Sequence, residues 1–204
     1  MKKHNKVLLA VLCAALLVVG SVAGTLAWLT DDEAVVNTFT VGKVGIELDE
    51  AEVNPDGTLK SEERVKENEY HLLPGMEYIK DPTIKVDADS DDCYLFVKVE
   101  NGIKNIEGDK TVAAQMAELG WKPVDGIQNV YVYAKEAQLD KCAVSKGTNV
   151  KVFETFTIDG DNVTNAVLES YENASIVVTA YAVQKAGFED STPKQIWETA
   201  LASF

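Results

Sequence analysis

The chain has 204 residues, of which 46% are hydrophobic and 25% are charged, and its formal net charge is −14 at pH 7 with histidine neutral. This acidity repels the phosphates of nucleic acids and anionic membrane surfaces, and no basic stretch is present to bind either. The length and the hydrophobic content suit one domain with its own core, and no repeat or Pro- or Ser-rich linker divides the chain.

The first 27 residues have the three-part pattern of a secretory signal. A short basic start is followed by an apolar run at 7–19 and then by small residues. Thr25 and Ala27 suit the shallow pockets of signal peptidase, so we expect cleavage after Ala27 and a mature chain that begins at Trp28. The alternative, a membrane anchor, needs about 20 apolar residues, and the run is shorter. Cys13 lies inside the run rather than after it, which argues against a lipoprotein.

Residues 28–204 are predicted to form a single secreted domain. A first strand is expected at 35–48, where β-branched and aromatic residues recur and glycines mark bends. The following segment, 49–69, is highly polar and contains the turn sequence Asn-Pro-Asp-Gly at 54–57. We therefore predict a mobile loop at 49–69 between the first strand and the main body.

The remaining elements are short strands with two helices. One helix is predicted at 110–119, with Asp109 as its N-cap and Gly120 as its stop, and a second begins at the capping box Thr192-Pro-Lys-Gln195. The pattern predicts a mostly β protein, an antiparallel, jelly-roll-like β-sandwich with one internal and one C-terminal helix. The further strands are expected at 84–86, 93–99, 130–133, 150–158 and 176–183.

Two cysteines remain after cleavage, Cys93 and Cys142. Export permits a disulfide between them. The sequence does not bring their Cα atoms within bonding distance. A disulfide and two buried free thiols both stay open.

Several segments resemble the TasA/camelysin-like family of secreted bacterial proteins, whose signal is removed by a SipW-type signal peptidase. The match begins with GTLAWLTDDEAVVNTFTVGKVGIEL around the cleavage site. It continues with LLPGMEYIKDPTIKV, DDCYLFVKVENG, AELGWKPV and IVVTAYAVQKAGFED. The resemblance implies a jelly-roll-like sandwich, export from a Gram-positive cell and, as in the best-known members, assembly into fibres of the biofilm matrix.

No catalytic constellation is recognisable. A zinc protease of the His-Glu-x-x-His type needs two histidines one helical turn apart, and His71 is the only histidine after the leader. A Ser or Cys hydrolase has no other imidazole base, and no Gly-x-Ser-x-Gly elbow or phosphate loop is present. We therefore assign no catalytic residue, expect no cofactor and do not expect an enzyme.

Two weak binding patterns stand out. Asp87, Asp89 and Asp91 alternate like the start of an EF-hand, but the sixth and twelfth positions lack the required Gly and Glu. They remain weak calcium candidates, as do Asp159 and Asp161, against the simpler interpretation of hydrophilic turns. A second pattern consists of aromatic residues that line a sugar-binding face or pack in the sheet: Trp121, Tyr131 and Tyr133.

We therefore expect an exported structural protein of the cell surface or extracellular matrix that assembles with itself or with related subunits. Its new N-terminus, 28–40, would donate a strand to an exposed sheet edge of the next copy. The alternative is a monomeric secreted module that binds polysaccharide or protein. In the mature form we expect no permanent membrane span. The apolar residues of the donor segment are Trp28, Leu29, Val35, Val36 and Phe39.

Overall fold

The computed structural model describes residues 43–201. The predictions made for the leader, for its cleavage at Thr25, Ala27 and Trp28, and for the donor segment 28–40 therefore lie outside the described residues.

The described chain is mostly β, as predicted, and its strands form three antiparallel sheets. Four strands follow the order β2-β1-β4-β8, four others the order β10-β5-β7-β6, and β3 pairs with β9. The strands are β1 (Ile46–Val53), β2 (Leu59–Val65), β3 (Glu77–Ile79), β4 (Thr83–Val86), β5 (Cys93–Asn101), β6 (Trp121–Pro123), β7 (Val130–Tyr133), β8 (Asn149–Lys151), β9 (Thr155–Thr157) and β10 (Ile176–Gln184). The helices are α1 (Val112–Glu118), α2 (Asn165–Leu168) and α3 (Pro193–Ile196), which continues into a π-helical turn at Trp197–Leu201. Three 3₁₀ turns complete the list, at Lys104–Ile106, Leu139–Cys142 and Glu169–Tyr171.

The prediction of a mobile loop at 49–69 is wrong, because this segment forms most of the β1–β2 hairpin. The predicted turn lies at its tip, where Gly57 has φ 81° and its N–H donates to Asn54 O at 2.8 Å. The sequence of these two strands suggested a loop because charged residues occupy both of their faces. Those charges pair across the hairpin, as in the contact between Lys60 Nζ and Glu52 Oε1 at 2.5 Å.

The strand β5 organises the interior because it is buried on both faces. Its alternate residues Cys93, Leu95, Val97 and Val99 belong to the main hydrophobic cluster, with residues of β4, β8 and β9. On the opposite face, Tyr94 and Phe96 belong to a second cluster together with Ile196 and Leu201. The predicted strand at 93–99 is confirmed.

Both predicted helices are present, and one of them differs in its cap, whereas the short helix α2 was not predicted. The capping box of α3 is confirmed, since Thr192 and Gln195 each bond the other's backbone N–H. The N-cap of α1 is Thr111, whose hydroxyl accepts from Ala114 N at 3.2 Å, and not Asp109 as predicted. Thr111 lies directly before the first helical residue, the N-cap position from which a side-chain oxygen reaches the N–H of the third residue of the helix.

Candidate functional site

The most distinctive surface of the molecule is an open seam between β1 and β10, the strands at which the two larger sheets approach each other. Strand β10 pairs along all nine of its residues with β5 on one edge. Within residues 43–201, no strand pairs with its other edge. On one edge of β1, β4 pairs with Ile46–Asp49. On the opposite edge β2 pairs only from Glu50 onwards, so the first half of that edge has no partner strand within residues 43–201.

Hydrogen-bond alternation shows which backbone groups of β1 face the seam. Gly45 O accepts from Asp87 N at 3.0 Å and therefore points towards β4. Because successive residues of a strand direct their N–H and C=O groups to opposite edges, those of Val44, Ile46 and Leu48 point into the seam. The side chains of these same three residues pack partly buried against the main cluster.

Strand β10 presents an equivalent edge from the other side. Lys185 N donates to Asp92 O at 2.8 Å, so the odd-numbered residues direct their backbone groups towards β5. The backbone groups of Val178, Ala180 and Ala182 therefore point to the free edge. Their side chains also pack only partly buried against the main cluster. The seam thus exposes two strand edges and the margin of the hydrophobic core together.

Two cavities lie along the seam, one at each end. The wider, about 1150 Å³, is lined by 48–50 of β1 and 176–178 of β10. The narrower, about 480 Å³, is lined by Val44 and by 181–184. From the narrow cavity to the wide one, residue numbers increase along β1 and decrease along β10. The two strands therefore run in opposite directions on the two sides of the seam.

The floor of the wider cavity holds a buried carboxylate. Glu50 is 4% exposed, and its two oxygens accept from Lys80 Nζ at 2.5 Å and from Asn68 Nδ2 at 2.8 Å. Burial, with the charges of Glu50 and Asp81, raises the pKa of Tyr70, whose hydroxyl donates to Ile79 O at 3.0 Å. These groups are fully engaged with one another and stabilise the floor.

The mouth of this cavity is acidic. Four exposed glutamates surround it, two from the segment after β2 and two from the turn after α2. In the described part of the chain, none of the four forms a salt bridge. The four residues are Glu67, Glu69, Glu169 and Glu172.

A charged network fixes β1 from its outer side. Asp49 is 5% exposed and accepts from Lys85 Nζ at 2.5 Å and from the guanidinium of Arg64. Arg64 also bonds Asp81 at 3.1 Å, and Asp81 in turn accepts from Ala51 N at 2.7 Å. Burial alone would raise the pKa of Asp49, but the hydrogen bonds from Lys85 and Arg64 outweigh it, and the pKa lies below the usual value.

The two cysteines are free and buried, so the structure decides against the disulfide. Cys93 belongs to the main cluster and Cys142 to the second, and the two clusters lie on opposite faces of β5. Burial, followed by the charge of Asp92, raises the pKa of Cys93 to about 11, which leaves its thiol unreactive.

The calcium candidates do not converge. Asp89 bonds Lys43 Nζ at 2.5 Å, while one oxygen of Asp91 accepts from Lys43 N at 3.1 Å. Asp159 accepts from the backbone of its own turn, including Asp161 N at 2.7 Å. Among residues 43–201, no group of three or more His, Cys, Asp or Glu side chains could hold a metal ion.

The aromatic candidates lie together on β6 and β7, where the ring centroids of Trp121 and Tyr133 are 5.3 Å apart. Trp121 is 1% exposed, and its Nε1 donates to Lys151 O at 2.9 Å, so it packs in the core and offers no sugar-binding face. The half-buried Tyr131 and Tyr133 pack against the same cluster. His71 is exposed on the wall of the wider cavity.

The sequence alone did not reveal the seam, because Val44 and Ala182 are brought together only by the fold.

In the described part of the chain, no helix is long and apolar enough to cross a membrane. Comparisons of the chain with profiles of protein families, with curated proteins and with solved structures find no match.

Proposed function

We propose that this chain is an exported structural subunit of the cell surface or of a biofilm-type extracellular matrix, and that it assembles by strand addition at the β1–β10 seam. The open seam is the observation that carries the proposal. It combines strand edges that have no partner strand within residues 43–201, partly exposed apolar side chains and space for an extended segment. These are the requirements of β-augmentation, in which main-chain hydrogen bonds supply affinity and alternate side chains set the register.

The donor in this proposal is the N-terminal segment of another copy, freed by a SipW-type signal peptidase. Its apolar side chains Val35, Val36 and Phe39 suit the margin of the hydrophobic cluster. Full burial of one such side chain contributes about 1.5–3 kcal/mol. Filling the seam would complete a jelly-roll-like sandwich, in keeping with the resemblance to TasA/camelysin-like proteins. The proposal includes no enzymatic activity and no cofactor.

The test is filament formation by the exported protein, followed by light scattering and negative-stain microscopy. Deletion of 28–39 should leave a soluble, folded monomer that forms no filaments. Phe39→Lys should have the same effect, because it places a charge against the apolar cluster. Thr40→Lys is the matched control, because neighbouring strand residues point to opposite faces, and it should still assemble. Unchanged filaments from the deletion variant would exclude the proposal.

The acidic mouth of the wider cavity favours a second candidate function, a monomeric module that binds a cationic polysaccharide. Its carboxylates would pair with ammonium groups, and the neighbouring Tyr171 would contact the sugar rings. Calorimetry with glucosamine oligomers measures this directly. Binding that is lost in Glu69→Gln/Glu172→Gln, from a protein that stays monomeric at all concentrations, would favour the module over the matrix subunit.

A further inference from the structure

We infer that Lys80 and Asn68 join spontaneously in an intramolecular isopeptide bond, with Glu50 as the catalytic residue. The inference rests on three side chains that meet on the floor of the wider cavity, and it is independent of export and of assembly. One oxygen of the Glu50 carboxylate accepts from Lys80 Nζ at 2.5 Å, and the other accepts from Asn68 Nδ2 at 2.8 Å. A primary amine and a primary amide are therefore held by the same carboxylate.

Three different strands bring these residues together. Glu50 lies within β1, Asn68 follows the end of β2, and Lys80 comes directly after β3. Asp81, the next residue after Lys80, accepts from Ala51 N at 2.7 Å, which ties the end of β3 to β1. The amine and the amide are thus positioned by the fold, because they are far apart in an extended chain. Such positioning supplies much of the rate of a reaction between two bound groups.

The amide of Asn68 is held in a single orientation. Its Oδ1 accepts from Val53 N at 3.0 Å, and its Nδ2 donates to Ala51 O at 2.9 Å as well as to Glu50. Because a backbone N–H can only donate and a carbonyl can only accept, these contacts fix which end of the amide is the oxygen. The N–H of Val53 also polarises the carbonyl group. It would stabilise the negative charge that develops on Oδ1 when a nucleophile adds to Cγ.

The surroundings of the amine contain little water. The side chains of Lys80 and Glu50 are only 12% and 6% exposed. The ring centroid of Tyr70 lies 5.9 Å from Lys80 Nζ, and Phe156 packs against that ring with the two centroids 5.0 Å apart. Keeping two charges out of water is costly. Transfer of one proton from the ammonium to the carboxylate removes both charges and leaves a neutral amine, the nucleophilic form of lysine.

The reaction balances within these three side chains. Glu50 takes a proton from Lys80 Nζ, and the freed electron pair forms a bond to Cγ of Asn68. Glu50 then passes this proton to Nδ2 and takes up a second one from Nζ. The bond between Cγ and Nδ2 breaks, and ammonia leaves with the remaining proton of Glu50 as ammonium. The product is a secondary amide between Nζ and Cγ, and no oxidant, cofactor or further reactant is required.

The bond would close a loop of the chain between residues 68 and 80. It would tie the segment after β2 to the end of β3, on the floor of the wider cavity. Both Cys93 and Cys142 are free, so this bond gives the domain a covalent cross-link that a reductant cannot break. A cross-link of this kind restricts the unfolded chain by closing a loop in it.

The first test is the intact mass of the purified full chain, after its N-terminal residue has been determined. We expect a mass lower than that of the amino-acid sequence by one molecule of ammonia. Lys80→Arg is the matched control, because it keeps a cation beside Glu50 but offers no group that can lose its proton and attack. This variant should have the full mass of its sequence.

Digestion with trypsin locates the bond. Trypsin cuts after lysine and arginine, but it does not cut after a lysine whose Nζ is acylated. Between Lys66 and Lys85, the only lysine or arginine is Lys80. We therefore expect a single peptide, 67–85, that lacks one ammonia. A chain without the bond would instead yield the peptide 67–80.

Lys85 is the control within the same molecule. Its Nζ bonds Asp49 at 2.5 Å, and the side chain of Asp49 is only 5% exposed. Among the described residues, the side chains that bond this carboxylate are Lys85 and Arg64, and neither is an amide. Lys85 therefore has no amide to attack, and trypsin should cut after it in every variant.

Two further variants test the chemistry. Glu50→Gln keeps the shape of the side chain but cannot carry the proton, so it should lose the cross-link. Asn68→Asp should still react, but with the loss of water in place of ammonia. Its product is then the same molecule as the product of the unchanged sequence, and the two proteins should have identical masses. Circular dichroism shows whether each variant is folded.

The outcomes decide for or against the bond. A folded protein with the full mass of its sequence and complete cleavage after Lys80 would overturn the inference. A loss of ammonia that persists in Lys80→Arg would also overturn it, because another part of the chain would then be responsible. Identical masses for the unchanged protein and Asn68→Asp, with the peptide 67–85 uncut in both, would support it. None of these results depends on filament formation, so the proposed function is tested separately.

Discussion

Two strand edges of this molecule are built in opposite ways. The outer edge strand β2 has seven residues, of which four are charged: Lys60, Glu62, Glu63 and Arg64. The edge strand β10 has nine residues and no charged one, and Val177 is 45% exposed. Charged side chains on an edge strand prevent pairing with other chains, whereas an apolar edge invites it.

The contrast shows that the apolar edge of β10 is suited to a partner strand. The same molecule protects β2 with charges and leaves β10 without them, although β10 is the longer strand. In the proposed assembly, a donated strand covers this edge.

The largest expected effect is the loss of stability when a side chain on a covered face of β5 is truncated, compared with the same change at an exposed position of β10. Phe96 is fully buried beneath the C-terminal helix, so Phe96→Ala should lower the free energy of unfolding by about 3–5 kcal/mol. Val177→Ala removes a half-exposed side chain and should change it by less than about 0.5 kcal/mol. Urea denaturation of both variants measures the difference, and equal losses would show that the Val177 side chain is buried in solution.

Proline substitutions can show whether the two edges of β10 differ in their need for backbone N–H groups. Thr179 directs its N–H towards β5, so Thr179→Pro should cost about 1–3 kcal/mol of stability through the lost ladder bond. Ala180 directs its N–H to the free edge, where proline is tolerated. Ala180→Pro should therefore keep the fold, seen by circular dichroism, and reduce filament formation. Normal filaments from Ala180→Pro would show that this edge takes no part in assembly.

The smallest effect concerns the network that holds β1 beside the seam. The pKa of Asp49 is lower in the folded protein than the unfolded value of about 3.9. Its stabilising contribution is thus present above that value and is lost as the pH falls through the folded pKa. Asp49→Asn should cost about 1–2 kcal/mol at pH 7, because Arg64 and Lys85 stay partly exposed. The difference from the unmodified protein should shrink below about pH 4.

The control for this experiment is Glu47→Gln. Glu47 is exposed and pairs with Lys66 at 3.4 Å, so its loss should leave the pH dependence of stability unchanged. Urea midpoints at pH 7 and pH 3 compare the two variants. Equal pH slopes for Asp49→Asn and the unmodified protein would mean that the Asp49 network does not contribute to stability.

Some elements with a strong local signal were predicted correctly from the sequence. The alternation of β5 from Cys93 to Val99 and the capping box at Thr192 each depend on residues close together in the chain. The free cysteines could not be predicted in the same way. Cys93 is on β5, but the face on which Cys142 lies depends on how the distant 3₁₀ turn packs against that strand.

The β1–β2 hairpin was not predicted, although its sequence contains a sign of strand pairing. Glu52 and Lys60 flank the turn on opposite sides and carry opposite charges, as do Asp49 and Arg64, in the pattern of cross-strand ion pairs. Periodicity of apolar residues, the usual sign of a strand, is absent there. The seam had no local signal, because β1 and β10 lie near the two ends of the described chain.

The pairing of β5 with β10 also determines when this protein can fold. Val97 pairs with Ala180, and most of the domain lies between them in the chain. Contacts between such distant segments form slowly, because the intervening chain must first be brought into a closed loop. The central strand, covered on both faces in the final structure, therefore has no permanent neighbour on one edge until the last quarter of the chain is available. We expect stable folding only when synthesis is nearly finished. A chain truncated before β10 should therefore remain unfolded rather than form a smaller domain.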